Sequence, residues 1–216
     1  GGTEKLRGGE DYGVPLVDSL ADAVAHDAEV VVDLSDEPVL GPAERLRLAS
    51  RALALGLPYV GADFRFDPPT LEPFDLPSIG IVGTGKRVGK TAVTGHLARL
   101  LDRDRDVVVV AMGRGGPPEP EKVTVRPTVE ALVELSRSGR HAASDHLETA
   151  AVVGVTTIGC RRCGGGLAGA VATSNVEQGA EVAAALVPDL VVFDGSGAAL
   201  PPVAADRTVA VVGGHQ

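Results

Sequence analysis

Three features of this 216-residue sequence predict an α/β protein. A short apolar run, Ile79 to Val82, stops at a Gly-rich turn ending Val88-Gly89-Lys90-Thr91, and an amphipathic stretch follows it. From residue 78 onward, apolar runs alternate with helical patterns, which predicts a parallel sheet joined by crossovers. Asp106 to Met112 (D-V-V-V-V-A-M) is apolar without alternation, as suits a parallel strand covered on both faces. The predicted architecture is α/β: a P-loop NTPase-like parallel sheet with flanking helices over 78–216. A partial Rossmann-like α/β segment over 1–61 and a Pro-rich linker over 62–77 precede it.

Residues 1 to 14 are polar and Gly-rich and give no periodic signal. Leu16, Leu20, Ala23 and Val24 mark a short helix, and Ala28 to Leu34 reads as a buried strand. Ser35-Asp36-Glu37-Pro38 ends it; the acids there could be ligands or bases, and a turn plus a helix cap explains them equally well. Pro42 suits a first helical turn, with Leu46, Ala49 and Leu53 as the apolar face and Gly56 as the stop. Leu57 to Val60 is a further short strand. Pro68, Pro69, Pro73 and Pro77 exclude helix or central strand from the linker.

In the turn at 83–91, Val93, Leu97, Leu100 and Leu101 give the following helix one apolar face. Backbone N–H groups of such a loop and the helix start can enclose a phosphate. The predicted nucleotide-binding residues are Gly83, Thr84, Gly85, Lys86, Arg87, Val88, Gly89, Lys90 and Thr91. Lys90 would reach the terminal phosphates, and Thr91 would ligate magnesium. The usual pattern has Gly at position 84, where this chain has Thr84. That spelling resembles the loop of dethiobiotin synthetase and its relatives, which phosphorylate an oxyanion of a small substrate.

Further along, Thr128 can cap a helix through Leu135, and a second helix is predicted from Ala142 to about Val152. Val155 to Gly159 reads as a strand emptying into a loop, Cys160 to Gly166. Ser174 and Glu177 have capping-box spacing for a helix through Ala185. Leu190 to Phe193 and Thr208 to Val212 are the last strands. Ligands bind at the carboxyl ends of strands in such sheets, which places the loops 83–91, 113–120, 160–166 and 194–197 on one rim. Asp194 ends an apolar strand as a Walker B acid does and pairs with Thr91 as a predicted magnesium ligand; capping the next turn is the alternative. Arg161 and Arg162 would face opposite ways on a strand, but at a loop mouth both could bend toward one multiply charged phosphate compound, beside Gly164 and Gly165. Solvated surface arginines are the bland alternative. Cys160 and Cys163 make a single C-x-x-C with no second pair for zinc.

Net charge is −9 and the pI about 5.0, which excludes a broad basic surface and hence a nucleic-acid partner. No signal peptide or membrane-length apolar run occurs, so a cytoplasmic protein is expected, with no membrane partner. The sequence leaves room for a homo-oligomer.

Five segments, G-T-G-K-R-V-G-K-T (83–91), A-M-G-R-G-G-P-P-E-P (111–120), S-R-S-G-R-H-A-A-S-D (136–145), C-R-R-C-G-G-G-L-A-G (160–169) and D-G-S-G-A-A-L-P-P-V-A-A-D-R (194–207), together resemble the cyclic 2,3-diphosphoglycerate synthetase family. G-G-T-E-K-L-R-G-G-E-D-Y-G-V-P (1–15), D-L-S-D-E-P-V-L-G (33–41) and Y-V-G-A-D-F-R-F-D-P-P (59–69) resemble its N-terminal part. The resemblance implies ATP- and magnesium-dependent closure of 2,3-bisphosphoglycerate into an intramolecular phosphoanhydride, with release of ADP and phosphate. For that reaction the candidate catalytic residues are Lys90, Lys86 and Arg87, and the candidate bisphosphate ligands are Arg114, Arg140, His141, Arg161, Arg162, Gly164 and Gly165. Family members are longer at both ends, and the chain lacks an initiator Met, so an internal fragment is expected. A P-loop switch or metallochaperone using the C-x-x-C, and an inactive fragment, stay open as alternatives.

Overall fold

The computed structural model describes residues 13, 15–36, 39–139 and 145–213. The chain divides into two compact units, Gly1–Pro68 and Pro69–Gln216. In the first, helix α1 (Leu20–Ala25) is capped by Ser19, whose hydroxyl accepts from Asp22 N. Strand β1 (Val31–Val32) pairs in parallel with β2 (Tyr59–Val60), and β3 (Arg65–Phe66), within the Pro-rich segment, pairs antiparallel with β2. Helix α2 (Pro42–Ala54) starts with Pro42 and ends at the C-cap Leu55, followed by Gly56, whose φ of +77° is the left-handed conformation glycine adopts freely. The strand expected over Ala28 to Leu34 is reduced to two residues, with Val32 and Leu34 exposed; among the described residues β1 has a neighbour on one side alone. Helix α2 buries Ala49 and Ala52, while Leu46 faces solvent.

The second unit is built on a sheet of order β10-β4-β9-β5-β7-β6. Its strands are β4 (Ser78–Gly83), β5 (Val107–Gly113), β6 (Glu121–Val123), β7 (Thr156–Cys163), β9 (Leu190–Asp194) and β10 (Arg207–Val211). The first five in spatial order are parallel; β6 and the two-residue β8 (Thr173–Ser174), absent from the sequence reading, pair antiparallel with β7. Helices α3 (Lys90–Leu101), α4 (Val129–Arg137), α5 (Asp145–Val153) and α6 (Val176–Ala184) complete it. Thr128 caps α4 by accepting from Ala131 N, as its position predicted. The capping box expected at Ser174 is absent: Asn175 is the N-cap, and Ser174 Oγ accepts from Val176 N instead.

Both sheet faces are covered, which explains the unbroken apolar runs. Val108, Val110, Met112, Ile158, Cys160, Val191 and Phe193 pack on one face with Val176, Ala180 and Ala183 of α6. Val107, Val109, Leu190 and Val192, alternating with them, pack on the other with Ala98, Val93, Leu97 and Leu101 of α3. Leu100, expected on the α3 apolar face, is exposed; the small residues Thr94, Gly95 and Ala98 take the buried positions, so the helix lies close to the sheet.

That closeness recurs at α6. A Cβ on Gly179 would lie 2.2 Å from Cys160 Sγ. Gly179→Ala should therefore cost about 1–3 kcal/mol, as overpacked cores do. Adding Cys160→Ala should recover part of the loss. Urea unfolding of both single variants and the double variant checks this, and purely additive losses would show that the contact is not the cause.

Candidate functional site

The parallel strands deliver their carboxyl ends to one level. Asp194 lies in register with Ile81 on one side and Ala111 on the other, and Gly113 is opposite Arg161. A cavity of about 700 Å³ opens there. Its wall includes Lys86, Arg87, Lys90, Thr91, Arg114 and Asp194. It runs on to Asp145, Glu148 and Thr149 of α5 and to the turn Gly195–Gly197.

The loop after β4 has the backbone its glycines suggest. Gly89 is the N-cap of α3 with φ +104°, and Arg87 also takes a positive φ, +61°. A Cβ at Gly83 would lie 2.9 Å from both Lys90 Cδ and Val88 Cγ2, so glycine is needed there for close approach. Thr84 turns away from the cavity: its N–H donates to Val211 O at 3.2 Å, and its hydroxyl accepts from Gly213 N at 3.5 Å. A side chain at position 84 is tolerated because it points toward the end of β10.

Lys90 is buried at 8% exposure, and its ammonium donates to Gly85 O and Gly197 O, each at 2.7 Å. Burial lowers its pKa, the Asp194 charge opposes that, and Arg162 adds to it. Asp194 is 4% exposed, and burial pushes its carboxyl up to about 7. Thr94 and Lys90 pull the value down, while Asp145 and Glu148 push it further up. Both shifts run toward the neutral forms, so desolvation outweighs the attraction between the two groups. Thr94 faces the carboxylate without aligning as a donor: Thr94 Oγ1 and Asp194 Oδ1 are both buried and unpartnered among the described residues. Thr149 Oγ1, on the cavity wall, is likewise unpartnered. Such orphaned oxygens fit a cation or a hydrated ligand. Among the described residues no three His, Cys, Asp or Glu side chains converge to hold a metal by themselves. A magnesium ion at Asp194 and Thr91 would take its remaining ligands from phosphate and water, which is its habit.

The reading of 160–166 as a loop is corrected. Strand β7 runs through Cys163, so Arg161 and Arg162 stand on opposite faces and do not bend toward one ligand. Arg161 Nε donates to Gly116 O at 2.7 Å, and Asn175, whose Oδ1 accepts from Arg161 N, donates to the carbonyls of Pro117 and Pro118. This strand end thereby fixes the loop that carries Arg114 to the cavity. A Cβ at Gly116 would sit 2.0 Å from Cys160 O, which shows how tightly that loop rides on β7. Arg162 is 3% exposed and donates to Gly164 O and, at 3.0 Å, to Ser196 O. Gly164 takes φ +70° and Gly165 approaches Arg162 at its NH1.

Cys160 and Cys163 are three residues apart on the same strand and so face opposite ways. Cys160 is fully buried, and burial raises its thiol to about 12; Cys163 is exposed. Sulfur chemistry shared by the pair has no geometric basis here. Arg140 and His141 lie outside the described residues. Sequence reasoning missed Asp145, Glu148 and Thr149 as wall residues; their i, i+3, i+4 spacing was a usable signal for one helix face. Gly197 O was beyond reach, since no side-chain pattern marks a carbonyl.

Among the described residues, no helix is long and apolar enough to cross a membrane. Residues 78–216 match the P-loop domain of cyclic 2,3-diphosphoglycerate synthetase, and residues 1–67 match its N-terminal domain. A cyclic 2,3-diphosphoglycerate synthetase of Rubrobacter xylanophilus is 56% identical over all of this chain and 52% of its own length. One from Thermococcus kodakarensis is 50% identical over all of this chain and 53% of its own. One from Methanothermus fervidus is 49% identical over 88% of this chain and 43% of its own. The chain thus spans about half the length of the curated relatives it matches.

The burial of Asp194 makes a stability prediction. Its pKa is about 7 folded against 3.8 in its ordinary state, so between these values the folded protein holds a proton that the unfolded chain has released. Stability therefore falls as pH rises from about 4 to 7 and stays low above. Asp194→Asn does not titrate and should exceed wild type at pH 8, without magnesium or nucleotide, by on the order of 1–4 kcal/mol. The gap should close toward pH 4. Urea unfolding across pH 4–8 reads this directly; equal stability at pH 8 would mean that the carboxylate is hydrated.

Proposed function

The chain belongs to the cyclic 2,3-diphosphoglycerate synthetase family, and we propose that it carries the ATP site and part of the substrate site for closing 2,3-bisphosphoglycerate into its cyclic anhydride. The observation that carries this reading is one cavity that joins the phosphate loop, the buried Asp194 and the cation Arg114 from the neighbouring strand end. A simple ATPase needs the first two. A second cationic wall suits an acceptor that is itself rich in phosphate.

In this reading, Lys90 leaves the carbonyls of Gly85 and Gly197 for the β- and γ-phosphates of ATP, because a phosphate oxygen is the stronger acceptor for an ammonium. The N–H groups of the 83–91 loop and the start of α3 enclose those phosphates. Asp194 and Thr91 would hold a magnesium ion, which would supply charge neutralisation at the phosphates. Lys86 and Arg87, exposed on the cavity wall, reach the transferring group, and Arg114 orients the bisphosphate. Phosphoryl transfer to one substrate phosphate, followed by attack of the other with loss of inorganic phosphate, yields the anhydride. Such chemistry rests on positioning and electrostatics more than on a strong base. Arg140 and His141 complete the proposed bisphosphate set, with Arg161 contributing through the loop that it fixes. The reaction is that of a cytoplasmic enzyme acting on small molecules.

Lys90→Ala in the full-length protein should lower turnover by about 10²-fold or more while leaving the thermal melt cooperative. Phosphorus NMR with ATP, magnesium and 2,3-bisphosphoglycerate should show the cyclic product and inorganic phosphate with wild type and neither with the variant. ATP loss without consumption of bisphosphate would refute the synthetase reading and leave a plain ATPase.

A further inference from the structure

Two buried cations hold the same turn at the end of β9. Lys90 donates to Gly197 O, and Arg162 donates to Ser196 O, the preceding carbonyl. They arrive from opposite sides of the sheet: Lys90 opens α3, whereas Arg162 continues the Ile158–Cys160 face covered by α6. The turn begins with Asp194, whose Oδ1 is buried and unpartnered. Gly197, at φ +62°, is packed against this grip: a Cβ there would lie 3.1 Å from Arg162 NH2 and 3.9 Å from Lys86 Cγ.

Both terminal nitrogens of the Arg162 guanidinium are engaged. Nη1 donates to Gly164 O, Nε is buried and without a partner among the described residues, and the side chain is 3% exposed. An arginine that reads a soluble bisphosphate has to present its planar fork to the cavity. This one presents its terminal nitrogens to backbone carbonyls of two loops, and the arginines on the cavity wall are Arg87, from the phosphate loop, and Arg114.

We propose that Arg162 is a positioning residue that clamps the 194–197 turn, keeping the Asp194 carboxylate in place when Lys90 leaves Gly197 O for a phosphate. The inference rests on the nucleotide reading of the cavity. In the structure two cations hold the turn. With nucleotide bound, Lys90 is withdrawn and Arg162 remains, at the moment when Asp194 must face magnesium. Arg162 therefore acts on metal and nucleotide geometry and, through it, on kcat, while Arg114 acts on bisphosphate affinity.

The test uses full-length protein with Arg162→Gln, Arg162→Lys, Gly197→Ala and Arg114→Gln. Magnesium is titrated against binding of a fluorescent ADP, and kcat and KM are measured with ATP and 2,3-bisphosphoglycerate. Arg162→Gln should raise the magnesium midpoint about tenfold and lower kcat by about 10–100-fold, with KM for bisphosphate within about threefold of wild type. Arg162→Lys keeps the charge but cannot span both carbonyls, so it should fall between. Gly197→Ala displaces the turn from the Arg162 guanidinium without removing a charge and should show the same pattern; it decides the matter if Arg162→Gln lacks a cooperative melt. Arg114→Gln should do the reverse, raising KM for bisphosphate and leaving the magnesium midpoint alone. An unchanged magnesium midpoint in the Arg162 variants, with KM for bisphosphate up tenfold or more, would make Arg162 a substrate ligand and overturn the inference. If wild type binds nucleotide but does not consume bisphosphate, the synthetase reading fails while the magnesium titration still decides Arg162. If wild type binds no nucleotide, both fall.

Discussion

The rim of the second unit depends on the burial of the Lys90 ammonium beside the Asp194 carboxylate. Neither gains enough from the other to offset lost hydration, as the direction of both pKa shifts shows. Lys90 meets its need with two carbonyls. Asp194 does not, and one oxygen is left without a partner. A poorly satisfied buried acid costs stability, because its lost hydration is not replaced by protein partners.

The surrounding chain is arranged to keep this arrangement rigid. Sheet β4-β9-β5-β7 brings the strand ends to one level, and buried valines on both faces prevent them from shifting. Glycines then allow the loops to touch. Gly83 admits Lys90, Gly116 admits the backbone of β7, and Gly179 admits Cys160. Against the overall charge of −9, Lys86, Arg87, Lys90 and Arg114 gather positive charge locally on this rim.

In the first unit an acid at a strand's end is fully partnered. Asp33 at the end of β1 accepts from Tyr59 OH at 2.7 Å, from Ser35 N at 2.8 Å, and pairs with Arg45 Nε at 3.1 Å. The Tyr59 hydrogen bond, foremost, holds its carboxyl below the usual range. An acid at a strand's carboxyl end is thus saturated in one unit and orphaned in the other. Its partners distinguish the two, and its position does not.

Much was legible in the chain itself. Local signals are short-range, so the phosphate loop, the Pro42 helix start, the Thr128 cap and the strand read over Asp106–Met112, found at Val107–Gly113, could be read from neighbours in sequence. The apolar runs specified a sheet covered on both faces, because period and polarity report burial directly. Tertiary structure alone decided the rest. The extension of β7 through Cys163 depends on pairing with β5 and β8, and it separated two arginines and two cysteines that adjacency had grouped. The antiparallel strands β6 and β8 are too short to carry a periodic pattern. The partners of Lys90 and Arg162 are carbonyls more than thirty residues away in two of their four bonds, and every residue has a carbonyl, so no residue type announces them. Side-chain chemistry was written in the sequence; which backbone oxygens would meet it was settled by packing.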